Sequence, residues 1–331
     1  MKSRELANLG IPRGEPMRIA KTALAAAASA GYGKQDLRNA MRELVEDPRA
    51  FSNHELFAEL AASLLLDAVE MKRFVPRTEP APFKKWGKDL DEASVDQMRN
   101  ACALPVSVSG ALMPDAHVGY GLPIGGVLAT KNAVIPYAVG VDIACRMKMT
   151  VLDLPVGALS GQTDRLSKSL ESETRFGIGA SFRERRAHDV LDEDWRVSPI
   201  TAQHKDKAWA QLGTSGSGNH FVEYGTLDIH GEGLPLPAGT YLALLSHSGS
   251  RGTGASVADH YSKLAMKLHR ELPKELQHLA WLDLDSQEGR EYWAAMELMG
   301  KYAAANHACI HRHIARALGA KVLLDIENHH N

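Results

Sequence analysis

The sequence has few cysteines, no excess of charge of one sign and no long apolar run. Its 331 residues contain only Cys102, Cys145 and Cys309, and so sparse and odd a set argues against a disulfide framework and for a reducing compartment. The formal net charge of −2 gives no global basic signature, so nucleic acid could be attracted only by local patches. Because no run suggests a secretory signal or a bilayer span, we predict a cytoplasmic protein with no membrane partner.

Residue patterns divide the chain into a helical beginning and a mixed remainder. Residues 15–73 space Leu, Ala and Val at helical intervals, and the proline-rich segment VPRTEPAPFKKWG ends this pattern. From residue 89 onward, helical stretches alternate with glycine-punctuated runs of Val, Ile and Leu, which are typical of β-strands with tight turns. We therefore predict an α+β fold, with a helical N-terminal extension and linker over residues 1–80 and a compact mixed domain with glycine-rich loops over residues 81–331.

Asp142 and Cys145 lie three residues apart, after a glycine turn, in the segment VGVDIACRM. A carboxylate and a thiolate this close can both ligate one metal centre, and a thiolate can bridge two metals. The alternative is that Asp142 caps a turn and that Cys145 is a small buried apolar residue. The spacing alone leaves both interpretations open.

Two glycine-rich segments are typical of anion-binding loops. In LGTSGSGNHF, the glycines of residues 213–218 would let backbone N–H groups face an anion, with Asn219 and His220 at the loop's edge. In SHSGSRGTG, His247 ends a predicted strand, and Arg251 precedes a helix predicted to start near residue 255, whose N-terminus would attract phosphate. The alternatives are a flexible surface loop and a tight strand–helix turn with an exposed arginine.

Two further motifs carry weaker signals. MPDAHVGYGLPIGG contains Asp115 and His117 beside several glycines, and it predicts either a nucleotide loop or a β-bulge region. DIENHHN places His330 and Asn331 after a predicted strand. His330 is therefore either a metal ligand or part of a terminal tail.

His307 and His311 are four residues apart on a predicted helix, which is a metal-ligand spacing. The amphipathic sequence around them, NHACIHRHIARAL, instead favours surface or packed helix residues. The remaining motifs supply one carboxylate, one thiolate and three imidazoles, a donor set that suits a pair of divalent metals beside phosphate-binding loops.

In this order, the motifs PDAHVGYGLPIGG, AVGVDIAC, GSGNHFVE, HSGSRG and HHN resemble the RtcB family of RNA ligases, over roughly residues 86–331. The resemblance implies an enzyme that joins RNA ends bearing a 2′,3′-cyclic phosphate or a 3′-phosphate to 5′-hydroxyl ends, in tRNA splicing or RNA repair. It also implies GTP and a pair of Mn²⁺ ions as cofactors, and tRNA halves or damaged RNA as partners.

The resemblance assigns roles to the residues that match its motifs. Its catalytic residues would be Asp115, Cys145 and Arg251, with Cys145 bridging the metal ions and Arg251 holding an RNA or nucleotide phosphate. The metal ligands that it implies are Asp142, Cys145, His220, His247 and His330.

The cofactor-binding residues that the resemblance implies surround a guanylate. Asn219 and Asn331 would contact its phosphate, whereas Phe221 and Glu223 would line the nucleotide pocket, with Glu223 near the guanine edge. The cations would neutralise the triphosphate and the RNA terminal phosphate and align them for in-line attack.

The chain departs from the family's pattern in two places. Arg146 follows the proposed metal cysteine, where the family usually has glycine, and it changes the charge and bulk beside the site. The family also continues well beyond HHN, into a segment with the histidine that becomes guanylylated. We therefore expect a truncated or split ligase, completed by a C-terminal chain or helped by an activating protein. The alternatives are a non-ligating metal-dependent protein that binds RNA ends or GTP, and a cyclic-phosphate phosphoesterase.

Overall fold

The computed structural model describes residues 1–12, 14–70, 74–231 and 233–329, so the predicted site residues His330 and Asn331 lie outside the described residues. The predicted α+β composition is confirmed. The chain divides into two compact units, Met1–Phe74 and a second unit that starts at Val75. The functional boundary at residue 80 stays a prediction.

The first unit is a helical bundle whose core is built from small and aliphatic side chains. Gly14 precedes its longest helix, and a proline in the first turn fits the helix start because its missing N–H has no partner there. Ala20 and Leu24 lie on the buried face of this helix and share one core with Met41 and Leu60. The helices are α1 (Ser3–Asn8), α2 (Glu15–Ser29), α3 (Lys34–Glu46) and α4 (Ala58–Glu70).

The second unit is organised around a four-stranded antiparallel sheet covered by a long helix. The strand order is β6-β7-β5-β9, for strands β5 (Arg146–Leu152), β6 (Phe221–Ile229), β7 (Gly239–Ser248) and β9 (Val322–His329). Helix α11 (Gln287–Ala317) packs Ile310 and Ile314 against Leu242 and Leu244 of β7. Apolar residues at helical spacing thus meet alternate apolar residues of a strand.

A second, three-stranded sheet is formed, in this order, by β1 (Phe83–Lys85), β2 (Ser107–His117) and β3 (Ile124–Thr130). The predicted catalytic residue Asp115 lies on β2. Helix α5 (Glu92–Cys102) packs Val95 and Met98 against Leu112 of β2.

The other described elements are short strands, helices and 3₁₀ turns. They are β4 (Ala133–Val134), which pairs with β8 (Leu282–Asp283), and the helices α6 (Pro136–Val139), α7 (Ala158–Gly161), α8 (Thr163–Glu173), α9 (Pro199–Gln211) and α10 (Arg251–Leu268). Short 3₁₀ turns cover Pro48–Phe51, Asp189–Asp192, Trp195–Val197 and Lys274–Leu279. Among the helices of the described ranges, none combines the length and the apolar character needed to cross a bilayer.

The pairing register of the four-stranded sheet brings three predicted ligands to one end. Cys145 immediately precedes β5 and His220 immediately precedes β6, whereas His247 is the penultimate residue of β7. His247 is in register with Met147 on one side and with Phe221 on the other. The three side chains therefore converge although they are far apart in sequence.

We predict that Leu244→Ala lowers the free energy of unfolding by about 2–5 kcal/mol, because Leu244 is fully buried beneath α11 and its removal leaves a cavity. Leu323→Ala is the matched control, since Leu323 is 44% exposed on β9, and we expect a change within about 0.5 kcal/mol. Urea denaturation followed by circular dichroism measures both. Equal losses would contradict the assignment of this core.

Candidate metal centre

Cys145, His220 and His247 form a compact cluster of metal-ligating groups. The Cys145 Sγ atom lies 3.0 Å from His247 Nε2 and 3.7 Å from His220 Nε2. One ligand atom from each residue lies within 4.8 Å of those of the other two. A soft thiolate with two imidazoles is a donor set that could hold a divalent transition metal.

His247 is oriented by a backbone carbonyl. Its Nδ1 lies 3.0 Å from the carbonyl oxygen of Asn219, to which it donates because a carbonyl can only accept. The lone pair of neutral His247 is therefore on Nε2, which faces Cys145. Such a carbonyl partner fixes the tautomer and ring orientation of metal-binding histidines.

The carboxylate of Asp142 joins the cluster through His220. Its Oδ2 lies 2.9 Å from His220 Nε2. Donors that share one cation with bonds of about 2.0–2.3 Å lie roughly 3–4 Å apart, and the separations of 2.9, 3.0 and 3.7 Å fit this requirement. Asp142 thus adjoins the three-residue cluster through His220, although it is not one of the three groups whose ligand atoms all lie within 4.8 Å of one another.

Asp142 also caps helix α10. Its Oδ1 accepts a hydrogen bond of 2.9 Å from the backbone N–H of Ser250, the residue before the helix. A Cβ on Gly249 would stand 2.3 Å from Asp142 Oδ2, so only glycine admits the carboxylate here. The helix starts at Arg251 rather than near residue 255, and part of its anion-binding N-terminus is occupied by a carboxylate of the chain itself.

Burial, followed by the Asp142 carboxylate, raises the pKa of the Cys145 thiol to about 12. The thiol is consequently protonated at neutral pH unless a cation offsets the negative charge around it. The preceding Ala144 has a left-handed backbone with φ of 59°, which is costly for a residue with a Cβ. The fold holds this strained turn directly beside the cysteine.

Arg251 lies inside the glycine-rich loop rather than in solvent. Its Nη1 is 3.1 Å from His220 Nδ1, and its Nε donates to Thr214 Oγ1 over 3.2 Å. A Cβ on Gly216 would fall 1.9 Å from the guanidinium, so the loop's glycine makes room for the arginine. His220 Nδ1 also lies 3.1 Å from the carbonyl oxygen of Ser215. The two contacts require opposite tautomers of His220, because the arginine can only donate and the carbonyl can only accept. Only the Ser215 contact leaves the lone pair of His220 on Nε2, where it could bind a cation.

The first half of the glycine-rich loop uses its amides within the protein. The N–H of Gly213 donates to Asn306 Oδ1 over 2.7 Å, and that of Ser215 donates to the carbonyl of Arg175 over 2.9 Å. Residues 217–219 are exposed. Only the second half of the loop, next to His220, therefore presents itself to a ligand in solution.

The predicted nucleotide and catalytic residues are only partly brought together. Phe221 lies beside the cluster, with its ring centroid 5.7 Å from that of His247, and exposed Glu223 follows on the same strand. Asn219 contributes its carbonyl to His247. Asp115 is exposed on β2 and is not part of the metal-ligating cluster of the described residues.

The guanidinium of Arg146 is paired with groups outside the cluster. Its guanidinium lies 3.1 Å from a carboxylate oxygen of Glu327 on β9 and 3.3 Å from the carbonyl oxygen of Gly300. The arginine thus ties the strand that begins after Cys145 to its neighbour. The roles predicted for His330 and Asn331 concern residues outside the described ranges.

Two histidines and an asparagine of α11 lie close to the cluster, and their contacts were not predicted from the sequence. His307 and His311 are almost completely buried, and with Asn306 they face β7 from α11. The amphipathic sequence favoured surface or packed helix positions over a role as ligands, and the structure shows that both histidines are packed. Neither histidine belongs to the metal-ligating group.

Comparison with known proteins decides the family. The profile of the family described as tRNA-splicing ligase RtcB matches residues 97–331. The chain belongs to the RtcB family. Its relatives include the tRNA-splicing ligases RtcB of Archaeoglobus fulgidus, 29% identical over 74% of this chain, and Nanoarchaeum equitans, 32% identical over 73%. The RNA-splicing ligase RtcB of Escherichia coli K12 is 31% identical over 65% of the chain.

These matches span 59%, 58% and 54% of the respective relatives. The chain therefore corresponds to little more than half the length of the RtcB proteins that it matches, and their activity comes to it only as a proposal.

We predict that Gly216→Ala weakens divalent-metal binding about 10-fold, because the new Cβ clashes with Arg251 and shifts the adjacent Ser215, whose carbonyl orients His220. Gly218→Ala is the matched control: Gly218 also has a left-handed backbone, with φ of +78°, but nothing lies within 4 Å of its added Cβ. Calorimetric titration with Mn²⁺ distinguishes them. The same loss of affinity in both variants would show that backbone strain, and not the clash with Arg251, is responsible.

Replacing Cys145 by alanine is expected to abolish Mn²⁺ binding in the same titration, because the cluster loses its central donor. Cys102→Ala serves as the control, since Cys102 is also a buried free cysteine but is the last residue of α5 and packs in the apolar cluster with Leu112 of β2. Unchanged Mn²⁺ affinity in Cys145→Ala would mean that the metal site lies elsewhere.

Proposed function

We propose that this chain forms the metal- and nucleotide-binding core of an RNA ligase that joins 2′,3′-cyclic phosphate or 3′-phosphate ends to 5′-hydroxyl ends with GTP and Mn²⁺. The observation that carries the proposal is the convergence of Cys145, His220 and His247 at one sheet end, in a chain whose family profile is that of tRNA-splicing ligases. Bound Mn²⁺ would neutralise phosphate charge and polarise phosphoryl oxygens.

We propose five residues of the chain as the ligands of the metal. Cys145, His220 and His247 form the compact cluster, Asp142 adjoins it through His220, and His330 is proposed as a further ligand. Carbonyls orient the imidazoles, so that their lone pairs are directed before a cation arrives.

A phosphate would lie against the exposed second half of the glycine-rich loop. Ser217, Gly218 and Asn219 are exposed and adjoin the ligand His220. Amides of such loops bind phosphate oxygens closely because glycine presents no Cβ. We propose that Phe221 and Glu223, which follow on β6, contact the guanine of GTP, and that Asn219 and Asn331 contact its phosphate.

Catalytic roles for Arg251 and Asp115 are part of the same proposal. Arg251 reaches His220, so its positive charge lies next to the cluster and can favour a bound phosphate. Asp115 stands on the separate sheet formed by β1, β2 and β3. Its participation requires that the RNA extend from the cluster to β2.

The proposal is tested by measuring how the chain binds RNA ends. Fluorescence anisotropy with Mn²⁺ compares one oligonucleotide that ends in a 3′-phosphate with the same oligonucleotide ending in a 3′-hydroxyl. We expect the 3′-phosphate to bind about 10-fold more tightly, which corresponds to about 1.4 kcal/mol. Cys145→Ala should lose this preference, and Cys102→Ala should keep it.

The same samples, supplied with GTP and an RNA that has a 5′-hydroxyl end, are then assayed for joined product. A joined product, alone or after addition of a complementing chain, supports the ligase. A preference for the 3′-phosphate without product under either condition favours the non-ligating RNA-end-binding alternative. Equal affinity for both ends would rule out the proposed function.

A further inference from the structure

Helix α11 carries two buried histidines that pack against β7, the strand of the candidate ligand His247. Neither histidine belongs to the candidate metal centre. His307 is 0% exposed and His311 is 3% exposed. Buried imidazoles need partners for both ring nitrogens, because an unpaired buried polar group costs about 1–3 kcal/mol. Their partners show what the pair does.

His307 contacts the residues on both sides of His247. Its Nε2 lies 3.1 Å from the carbonyl oxygen of Ser248, and its Nδ1 lies 2.6 Å from the hydroxyl of Ser246. Because a carbonyl only accepts, Nε2 carries the hydrogen, and Ser246 must donate to Nδ1. The backbone that carries His247 is therefore held by one imidazole from before and after the ligand.

His311 extends this connection to the two strands beyond β7. Its Nε2 lies 2.7 Å from the hydroxyl of Ser246, and its Nδ1 lies 2.7 Å from the hydroxyl of Thr150 on β5. Thr150 in turn lies 2.8 Å from a carboxylate oxygen of Asp325 on β9. We call these five contacts, from the carbonyl of Ser248 to Asp325, the histidine row.

The chemistry of the row suits a rigid support beneath a cation. Burial lowers the pKa of His307 to about 4 and holds that of His311 well below its usual range. The positive charges of Arg146 and Lys148 on β5, together with His220, lower the pKa of His307 further. Neutral imidazoles hold the strand without adding repulsion to a metal ion bound at His247.

We propose that His307 and His311 are positioning residues for the candidate metal ligand His247, acting through Ser246 and Ser248. The inference rests on the proposed metal-binding role of His247. The histidines touch neither the cation nor the RNA; they fix the backbone from which the ligand projects. Aliphatic residues at these positions could fill the space beneath β7 but could not hold its end.

The test compares His307→Phe, which keeps a ring but loses both hydrogen bonds, with Ile314→Ala. Ile314 lies on the same helix, is fully buried, and packs in the apolar cluster beneath the sheet, so its loss costs stability without touching the row. Co²⁺ titration of the whole chain, followed by the thiolate-to-Co²⁺ absorption band, reports metal affinity. We expect His307→Phe to bind Co²⁺ roughly 10–100-fold more weakly than wild type, and Ile314→Ala to bind it as wild type does.

A conservative variant separates positioning from general packing. His307→Gln retains an N–H near the place of Nε2, so it should still donate to the carbonyl of Ser248 and recover most of the affinity lost in His307→Phe. If His307→Phe loses no more affinity than Ile314→Ala, or if His307→Gln is no better than His307→Phe, the positioning role is excluded.

Hydrogen–deuterium exchange of the metal-free chain keeps this inference distinct from the proposed function. In His307→Phe, amides of residues 246–249 should exchange faster than in Ile314→Ala at equal global stability. Equal exchange would overturn the role of the row. Failure of wild type to bind Co²⁺, with the exchange result as expected, would instead overturn the metal site and leave His307 as the support of the β7 end.

Discussion

The pairing of β7 with its two neighbours is the interaction on which the candidate site depends. His247 stands in register with Met147 and with Phe221, so backbone hydrogen bonds between three strands determine how far the imidazole lies from Cys145 and His220. A shift of one residue in either ladder would turn a ligand to the opposite face of the sheet. Long-range register, rather than any local motif, therefore builds the cluster.

Polar groups hold the loops around this sheet end in place. Asn306 of α11 accepts from the N–H of Gly213 and donates to the carbonyl of Thr214, and it also reaches the hydroxyl of Ser248. The carboxylate of Asp142 connects the turn before Cys145 to the start of α10. The candidate ligands thus stand on strand ends whose flanking loops are anchored from a second layer, which is the arrangement that preorganises a binding site.

Much of this arrangement could be predicted from the sequence because it is recorded in local patterns. Glycine turns beside Cys145, His220 and His247 identified candidate ligands, and the structure brings these three together, while their binding of a metal remains a prediction. The capping of α10 by Asp142 could not be predicted, since it requires knowing which two turns meet. Nor could the contacts of His307 and His311 with β7, because their spacing describes one face of a helix and not the strand beneath it.

The position of Asp115 could also not be predicted, because it depends on how distant parts of the chain pack together. Its motif contains the glycines and histidine of a nucleotide loop, but the residue lies on a separate small sheet, and nothing in the motif encodes the packing between sheets. Arg251 was recognisable as a cation beside an anion-binding turn. That its guanidinium fits against Gly216 and reaches His220 follows only from the left-handed backbone at Gly216 and Arg251.

The histidine row has one hydrogen fewer than its contacts. Five contacts connect the carbonyl of Ser248 to the carboxylate of Asp325, and both of these end groups only accept. Two neutral imidazoles and two hydroxyls supply four hydrogens between them. Since the row is ordered from the carbonyl end, the shortfall falls on Thr150, whose single hydrogen faces both His311 and Asp325. The support beneath His247 therefore ends in two acceptors that share one hydrogen, and Asp325 is the one with a further donor, because Lys148 Nζ lies 2.7 Å from its other oxygen.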